Sequence, residues 1–91
     1  MNFGKAIEAL KEGKKVRRED WPEDVFLWLK PAAKVKSEWC KDPLLKSLAD
    51  KNGGTIDAQG TICAHVDGTI VSGFTPMQED MLAEDWEILS E

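Results

Sequence analysis

The fold is decided by residues 61–74, which read TICAHVDGTIVSGF. Two β-prone runs flank Asp67-Gly68, and Asp-Gly in that setting is typical of a two-residue hairpin turn of type I′. The alternation predicts strands over 61–66 and 69–74. One face of this hairpin is small and apolar, with Val66 opposite Thr69, Ala64 opposite Val71 and Ile62 opposite Gly73. The other face is mixed, with His65 opposite Ile70, Cys63 opposite Ser72 and Thr61 opposite Phe74. We expect the apolar face to lie on the core, and the mixed face to suit a polar ligand or a partner subunit.

An N-terminal helix is predicted to cover that core. Apolar residues recur at i, i+3, i+4 and i+7, which is one stripe of an α-helix: Phe3, Ala6, Ile7 and Leu10. Asn2 can cap its start, and Gly13 lies where a left-handed residue ends a helix. The sequence therefore predicts a helix over 3–12.

Two further strands are predicted between this helix and the middle of the chain. Residues 14–18 form a short strand with Val16 pointing inward, and residues 25–30 form a second strand that Pro31 ends. In the second strand Val25, Leu27 and Leu29 share one face, while Phe26, Trp28 and Lys30 share the other. We expect the aliphatic face to lie under the helix. The aromatic face suits a subunit interface or a stacking platform.

The middle of the chain carries fewer signals. Asp42-Pro43 is a typical helix start, which predicts a helix over 43–51 with an apolar stripe of Leu44, Leu45 and Leu48. Trp39, just ahead of it, is expected to be packed. Residues 55–59 are expected to form an edge strand.

These elements predict an α+β fold, in which an N-terminal helix packs on a small, mainly antiparallel β-sheet in one domain over residues 1–91. The chain carries four Trp and three Phe. That is more apolar surface than one small core easily hides, so we expect the protein to be oligomeric.

Charge and composition exclude several partners. A net charge of −5 disfavours nucleic-acid polymers and anionic membranes, although a local basic cluster can still bind a small phosphate-bearing ligand. No apolar run could span a bilayer, and the first residues lack the features of a signal peptide. Cys40 and Cys63 are far apart, so free thiols in a reducing cytoplasm are expected rather than a zinc or redox site.

Catalytic patterns are weak. His65 and Cys63 are i, i+2 neighbours on one predicted strand, too far apart for the hydrogen-bonded contact that a Cys–His dyad needs. The acidic residues Asp80, Glu84 and Asp85 lack the spacing of a metal loop. We therefore predict no catalytic residue, no metal and no cofactor.

Candidate binding residues combine cations with aromatic rings. Arg17 follows Lys14 and Lys15, and this basic run is either a solvated strand edge or a phosphate site. Trp21, on a polar turn, is either a lid over the core edge or a stacking residue. Thr75-Pro76-Met77-Gln78 is predicted to be a capping box that starts a short helical turn. Asp80 in that turn either serves the helix start or accepts a hydrogen bond from a ribose hydroxyl or an adenine amine.

Two segments resemble a family of small phage and prophage proteins. The first is MNFGKAIEALKEGKKVRR at residues 1–18 with Trp21 after it; the second is DGTIV at 67–71 followed by QEDMLAEDW at 78–86. Together the resemblance covers residues 1–30 and 61–89, and it is to Thoeris anti-defence proteins of the second type. It implies a non-enzymatic sponge in the host cytoplasm that binds a cyclic ADP-ribose isomer without degrading it. In some members the ligand is a cyclic dinucleotide. It also implies a homotetramer with nucleotide pockets at subunit interfaces.

The residues and the resemblance together give six predicted ligand contacts: Trp21, Phe26, Phe74, Asp80, Arg17 and Trp28. Phe74 stands where many members have Trp, and Met77 stands where many have Ser, so the choice of ligand is open. A small protein-interaction or structural module that uses the aromatic face is the main alternative. A nucleotide hydrolase is a weaker one.

Overall fold

A computed structural model describes residues 1–89 and confirms the α+β class. The helices are α1 (Phe3–Lys11), α2 (Pro43–Lys51) and α3 (Gln78–Leu82), with one 3-10 turn at Ser37–Trp39. The strands are β1 (Lys15–Arg18), β2 (Phe26–Lys30), β3 (Ala33–Lys36), β4 (Thr55–Ala58), β5 (Thr61–Val66), β6 (Thr69–Ser72) and β7 (Trp86–Leu89).

The chain divides into two compact units. Residues 1–30 and the chain from Thr61 onward form the first, here called the sheet unit, and residues 31–60 form the second, here called the hairpin unit. The prediction of one domain over residues 1–91 concerns independent folding and stays a prediction.

The sheet unit is built on five antiparallel strands in the order β6-β5-β2-β1-β7. The predicted hairpin register is confirmed from Val66 opposite Thr69 to Cys63 opposite Ser72. Asp67 and Gly68 both have positive φ, at 50° and 78°, as a type I′ turn requires.

Helix α1 covers one face of this sheet, here called the core face. Asn2 Oδ1 accepts a hydrogen bond from Lys5 N at 2.9 Å, and Gly13 follows the helix at φ 87°, so both predicted helix ends are confirmed. The core lies between helix and sheet, and its buried members are Ala6, Ala9, Leu10, Val16, Leu27, Ala64 and Trp86. The opposite face of the sheet is called the outer face below.

Strand β6 is shorter than the sequence predicts. It ends at Ser72, and the amides of both Gly73 and Phe74 donate to the carbonyl of Ile62, at 3.1 and 2.8 Å. Two residues opposite one form a β-bulge, which Gly73 accommodates with φ 86°. The predicted pairing of Thr61 with Phe74 is therefore wrong. The added residue turns Phe74 from the outer face to the core face, where it packs against the core cluster.

The predicted capping box is also displaced. Helix α3 begins at Gln78 with Met77 as its N-cap, two residues after Thr75. Asp80 is the N3 residue of this helix, and its carboxylate accepts a hydrogen bond from the N-cap amide, Met77 N, at 2.9 Å.

In the hairpin unit, β3 and β4 form a two-stranded antiparallel sheet beside α2. The helix over 43–51 is confirmed, and Asp42 Oδ1 accepts from Leu44 N at 2.8 Å. Strand β3 was not predicted, since its four residues carry only a brief alternation. The predicted packing of Trp39 is wrong: its side chain is 61% exposed. The leucine stripe of α2 (Leu44, Leu45, Leu48) is exposed as well.

Candidate functional site

The sheet divides the six predicted ligand contacts into two groups on opposite faces. Arg17, Phe26 and Trp28 alternate with the buried residues Val16 and Leu27, so they point to the outer face. Trp21, Phe74 and Asp80 lie on the core face: the two rings pack against the core cluster, and Asp80 is buried.

The rings on the outer face form one contiguous cluster. Phe26 stacks on His65, its partner across β2 and β5, with centroids 5.0 Å apart and planes inclined by 10°. Trp28 lies 6.1 Å from Phe26, and Lys15 Nζ is 5.0 Å from the centroid of the Phe26 ring. His65 Nδ1 lies 2.6 Å from the carbonyl oxygen of Asp24. Because a carbonyl only accepts, Nδ1 is the protonated nitrogen, and this bond fixes the orientation of the ring.

These residues line an open depression of about 370 Å³ on the outer face. Its walls are Gly13, Lys15, Phe26, Trp28, His65 and Ile70. The volume is within the range of small-molecule sites, and the lining combines aromatic surface with a cation and an imidazole. Such a set can stack a planar ring and attract an anionic group, because ring faces bind flat ligands and an ammonium binds phosphate.

Arg17 lies beside this cluster but is held by two protein partners. Its Nε donates to Glu87 Oε1 at 2.8 Å, and its Nη1 donates to the carbonyl of Trp21 at 2.8 Å. Its side chain is only 16% exposed. The sequence left two alternatives for the basic run, a solvated strand edge or a phosphate site. In the structure Arg17 is largely shielded from solvent and already has two hydrogen-bond acceptors.

The rings on the core face form a second contiguous cluster. Trp86 lies 5.3 Å from Phe3 and 5.4 Å from Trp21, and Trp21 lies 6.3 Å from Phe74. Trp86 is 2% exposed, and its indole Nε1 donates to the carbonyl of Asp80 at 2.9 Å. The centre of this cluster is therefore part of the core, while Trp21 and Phe74 at its border are partly accessible.

Asp80 joins this cluster to a charged network. Its Oδ1 accepts from Arg18 Nη1 at 3.0 Å, and its Oδ2 accepts from Met77 N. Arg18 Nε also donates to Asp85 Oδ1 at 2.7 Å. The hydrogen bond from Arg18 lowers the pKa of Asp85, and the same bond raises the pKa of Arg18. Of the two predicted roles for Asp80, service to the helix start is confirmed, and contact with a ligand stays a prediction.

A second depression, of about 470 Å³, lies on α3. Its lining consists of Met77, Gln78, Glu79 and Leu82, and it contains no ring and no cation. That lining does not match the chemistry expected of a nucleotide site.

Two negative findings concern the described part of the chain. Within residues 1–89 no group of three His, Cys, Asp or Glu residues could hold a metal ion. No helix among the same residues is long and apolar enough to cross a bilayer.

Sequence reasoning missed part of the outer-face depression. The sequence places Lys15 in a basic run and predicts His65 on a mixed strand face. No local pattern predicts that either residue lies beside Phe26. Their meeting depends on β2 pairing with β5 across an intervening segment of the chain. The one available signal was the alternation along β1, which puts Lys15 and Arg17 on the same face of that strand.

Fold and surface together define a small α+β domain whose antiparallel sheet exposes an aromatic, cation-bearing face. The sequence model of the Thoeris anti-defense 2-like domain (Tad2-like) matches residues 1–89. The chain is 30% identical over 98 residues to Thoeris anti-defense 2 of Bacillus phage SP01, covering 99% of this chain and 96% of that protein. The chain belongs to the Thoeris anti-defense 2-like family. The predicted resemblance is confirmed, the match includes the middle segment, and membership supports a phage anti-Thoeris role.

Proposed function

We propose that the protein blocks Thoeris signalling by binding a cyclic nucleotide and holding it without degrading it. The ligand class is a cyclic ADP-ribose isomer, with cyclic dinucleotides as a second class. The protein would meet this ligand in the cytoplasm of the infected host and act as a homotetramer. The relative in Bacillus phage SP01 bears the name of an anti-Thoeris protein, which supports the signalling context.

The observation that carries the proposal is the depression on the outer face. A cyclic ADP-ribose isomer presents a flat base and a charged pyrophosphate, and a cyclic dinucleotide presents flat bases and two phosphodiesters. Phe26 and Trp28 supply ring surface within 6.1 Å of each other, and Lys15 supplies a cation 5.0 Å from the Phe26 ring. Stacking of a base on an aromatic side chain contributes about 1–3 kcal/mol, so two rings and a cation can support retention of a small ligand.

In this proposal each outer-face residue has a defined task. Phe26 and Trp28 stack against the base or the ribose, and Lys15 attracts phosphate. His65 Nδ1 is bonded to Asp24, so its Nε2 is the nitrogen that can meet the ligand. Arg17 supports phosphate binding through Nη2, because its Nε and Nη1 are bonded to Glu87 and Trp21.

Trp21, Phe74 and Asp80 form the second candidate contact surface. The two rings are partly accessible at the border of the core cluster. A carboxylate has about four lone-pair positions, so Asp80 can accept a ligand hydroxyl in addition to Arg18 and Met77 N. A ligand could reach both groups only if the second group belongs to another copy or to a second site, since the sheet separates them within one chain.

Retention of intact ligand tests the proposal. The purified protein is incubated with a cyclic ADP-ribose isomer, freed of unbound ligand and then heat-denatured, and the supernatant is analysed by mass spectrometry. Release of the unchanged nucleotide is the expected result. Degraded nucleotide would mean an enzyme, and no retained nucleotide would overturn the sponge.

Three variants and one matched control assign the site. Phe26→Ala should reduce retention at least tenfold, whereas Trp39→Ala should leave it unchanged. Trp39 is a fair control because Lys36 Nζ lies 5.2 Å from its ring, much as Lys15 Nζ lies 5.0 Å from Phe26, but Trp39 does not line the depression. Trp21→Ala or Phe74→Ala then tests the core-face group. If only these two variants lose the ligand, the outer-face assignment is wrong while the sponge remains.

A protein-interaction module is the second candidate function. Four large apolar side chains of the hairpin unit are exposed: Trp39, Leu44, Leu45 and Leu48. Exposed apolar patches mark protein contacts in many domains. If the Trp39→Ala variant retained nucleotide but lost its effect on Thoeris signalling in cells, this second function would be favoured.

A further inference from the structure

The two edges of the five-stranded sheet differ in how they are protected. Strand β7 lies at one edge, where Trp86 N donates to the carbonyl of Met1 at 3.0 Å and the Met1 amino group donates back to the carbonyl of Trp86 at 2.8 Å. Glu87 adds a charge to that strand. Strand β6 lies at the other edge and pairs only with β5 within residues 1–89.

Strand β6 is short and ends at the Gly73 bulge, but its side chains do not oppose edge pairing. Its residues are Thr69, Ile70, Val71 and Ser72, so it carries neither a charge nor a proline. All four are exposed, with Ile70 at 55% and Val71 at 47%. Edge strands of monomeric proteins are normally protected by lysine, proline or a covering segment. An exposed edge strand without a charge or a proline is a template for another strand.

The hairpin geometry tells which backbone groups face that edge. A two-residue turn makes Val66 and Thr69 the hydrogen-bonded closing pair, so Thr69 and Val71 bond to β5. The amide of Gly73 continues this alternation by donating to Ile62. The N–H and C=O groups of Ile70 and Ser72 therefore point away from the sheet.

We propose that β6 pairs antiparallel with β6 of a second copy of this chain, joining the two sheets edge to edge. The register that satisfies all four outward groups of each copy places Ile70 opposite Ser72 of the second copy. Val71 then lies opposite its own counterpart on the core face. This inference rests on the assembly included in the proposed function, and it names the surface that would form it.

Charge makes a second copy the fitting occupant. Each chain carries a net charge of −5, so two copies repel through most surfaces. At a two-fold axis a strand meets its own image, and any charge on β6 would face the same charge. The sequence Thr-Ile-Val-Ser presents only hydroxyl and aliphatic groups there, which are compatible with themselves.

Space on the core face also permits the pairing. Helix α1 contacts β2, β1 and β7, the three strands that are farthest from β6 in the sheet. The exposure of Val71 on this face leaves it available to meet Val71 of the second copy. The two-fold axis is perpendicular to the sheet, so the outer faces of the two copies lie on the same side of the joined sheet. Each copy contributes one depression lined by Ile70, and the two depressions would lie on one continuous surface.

Cysteine cross-linking tests the register without disturbing the fold. In a Cys40→Ser background, Val71→Cys places two thiols opposite each other, with Cβ atoms about 4.5–5.5 Å apart in a non-hydrogen-bonded pair. Ile88→Cys in the same background is the matched control, since Ile88 is 44% exposed on the β7 edge. Cys63 is 2% exposed and stays out of the reaction.

Under mild oxidation the Val71→Cys protein should run as a disulfide-linked dimer, and the Ile88→Cys protein should not. Absence of the dimer from Val71→Cys, or equal cross-linking of both variants, would overturn the proposal. The measurement needs no nucleotide, so a failed sponge and a failed edge pairing give separate signals.

A mass measurement provides the second, independent readout. Sedimentation should find the wild-type chain assembled, and Val71→Lys should at least halve the mass because two ammonium groups would meet at the axis. Ile88→Lys should keep the wild-type mass, and circular dichroism should show all three proteins folded. A monomeric wild type, or an unchanged mass for Val71→Lys, would overturn the inference.

Discussion

The core-face and outer-face ring clusters are built from the same residue types, but the first is centred on a buried ring and the second on partly exposed rings. Trp86 is buried and its indole N–H has a protein acceptor, so its surface is used by the fold. Phe26 and Trp28 stand on the outer face of the sheet, are partly exposed and line a depression. The number of aromatic residues in a sequence therefore does not measure the size of a binding surface. Helix coverage and hydrogen-bond satisfaction decide which rings are available.

Removal of the central core-face ring should have the largest effect on stability. Trp86→Ala should lower the free energy of unfolding by about 3–5 kcal/mol, because it leaves a cavity between Phe3 and Trp21 and removes the donor to Asp80. Urea unfolding followed by circular dichroism measures the loss. A change below about 1 kcal/mol would show that the two clusters do not differ as described.

The same change on the outer face should affect binding rather than folding. Trp28→Ala should reduce affinity for a cyclic ADP-ribose isomer about tenfold or more while its unfolding free energy falls by less than half of the Trp86→Ala value. Isothermal titration and urea unfolding of the same preparation give both quantities. Equal losses of stability in the two variants would remove the distinction between the faces.

Asp80 provides a smaller test, at the junction of the core cluster and α3. Asp80→Asn keeps the shape but weakens the bonds to Arg18 and Met77 N, and should lower stability by about 1 kcal/mol. Glu79→Gln is the control, because Glu79 is exposed in the same helical turn. If Asp80→Asn loses ligand binding at unchanged stability, Asp80 contacts the ligand directly.

Lowering the pH should produce the smallest effect on stability, through the ion pair between Arg18 and Asp85. The pKa of Asp85 is lowered by the hydrogen bond from Arg18, so this contribution to stability is present above the ordinary carboxyl pKa and is lost as pH falls through the lowered value. Urea midpoints measured between pH 6 and about pH 2 should therefore fall less steeply for Asp85→Asn than for wild type. Asp57→Asn, on an 82% exposed side chain, should keep the wild-type slope.

Local patterns predicted much of the fold. The Asp67-Gly68 turn, the ends of α1 and the start of α2 each depend on a few adjacent residues, and each was predicted correctly. The end of β6 was not, because a bulge at Gly73 depends on the acceptor that β5 presents and not on the β propensity of the strand itself. The start of α3 was missed for a related reason: the capping side chain is Asp80, inside the helix.

The candidate site was predicted less completely than the fold. Alternation along β2 correctly put Phe26 and Trp28 on one face, away from the aliphatic residues. It could not show that Trp21 and Phe74 lie on the other face, since a turn has no period and the bulge changes the direction of the second ring. Contacts between distant segments, such as Phe26 with His65, arise from strand order, and local sequence does not encode that order.

The pairing of Lys30 with Thr61 has a consequence for how the length of this chain can vary during evolution. The two residues are opposite each other on neighbouring strands, so the intervening residues 31–60 leave the sheet and return to it at one place. The entropic penalty of closing such an excursion grows only with the logarithm of its length. We therefore expect insertions, deletions and whole-segment exchanges to accumulate between Lys30 and Thr61. A chimera that joins these two residues through a short turn should keep the five-stranded register, which makes this junction the natural point for grafting.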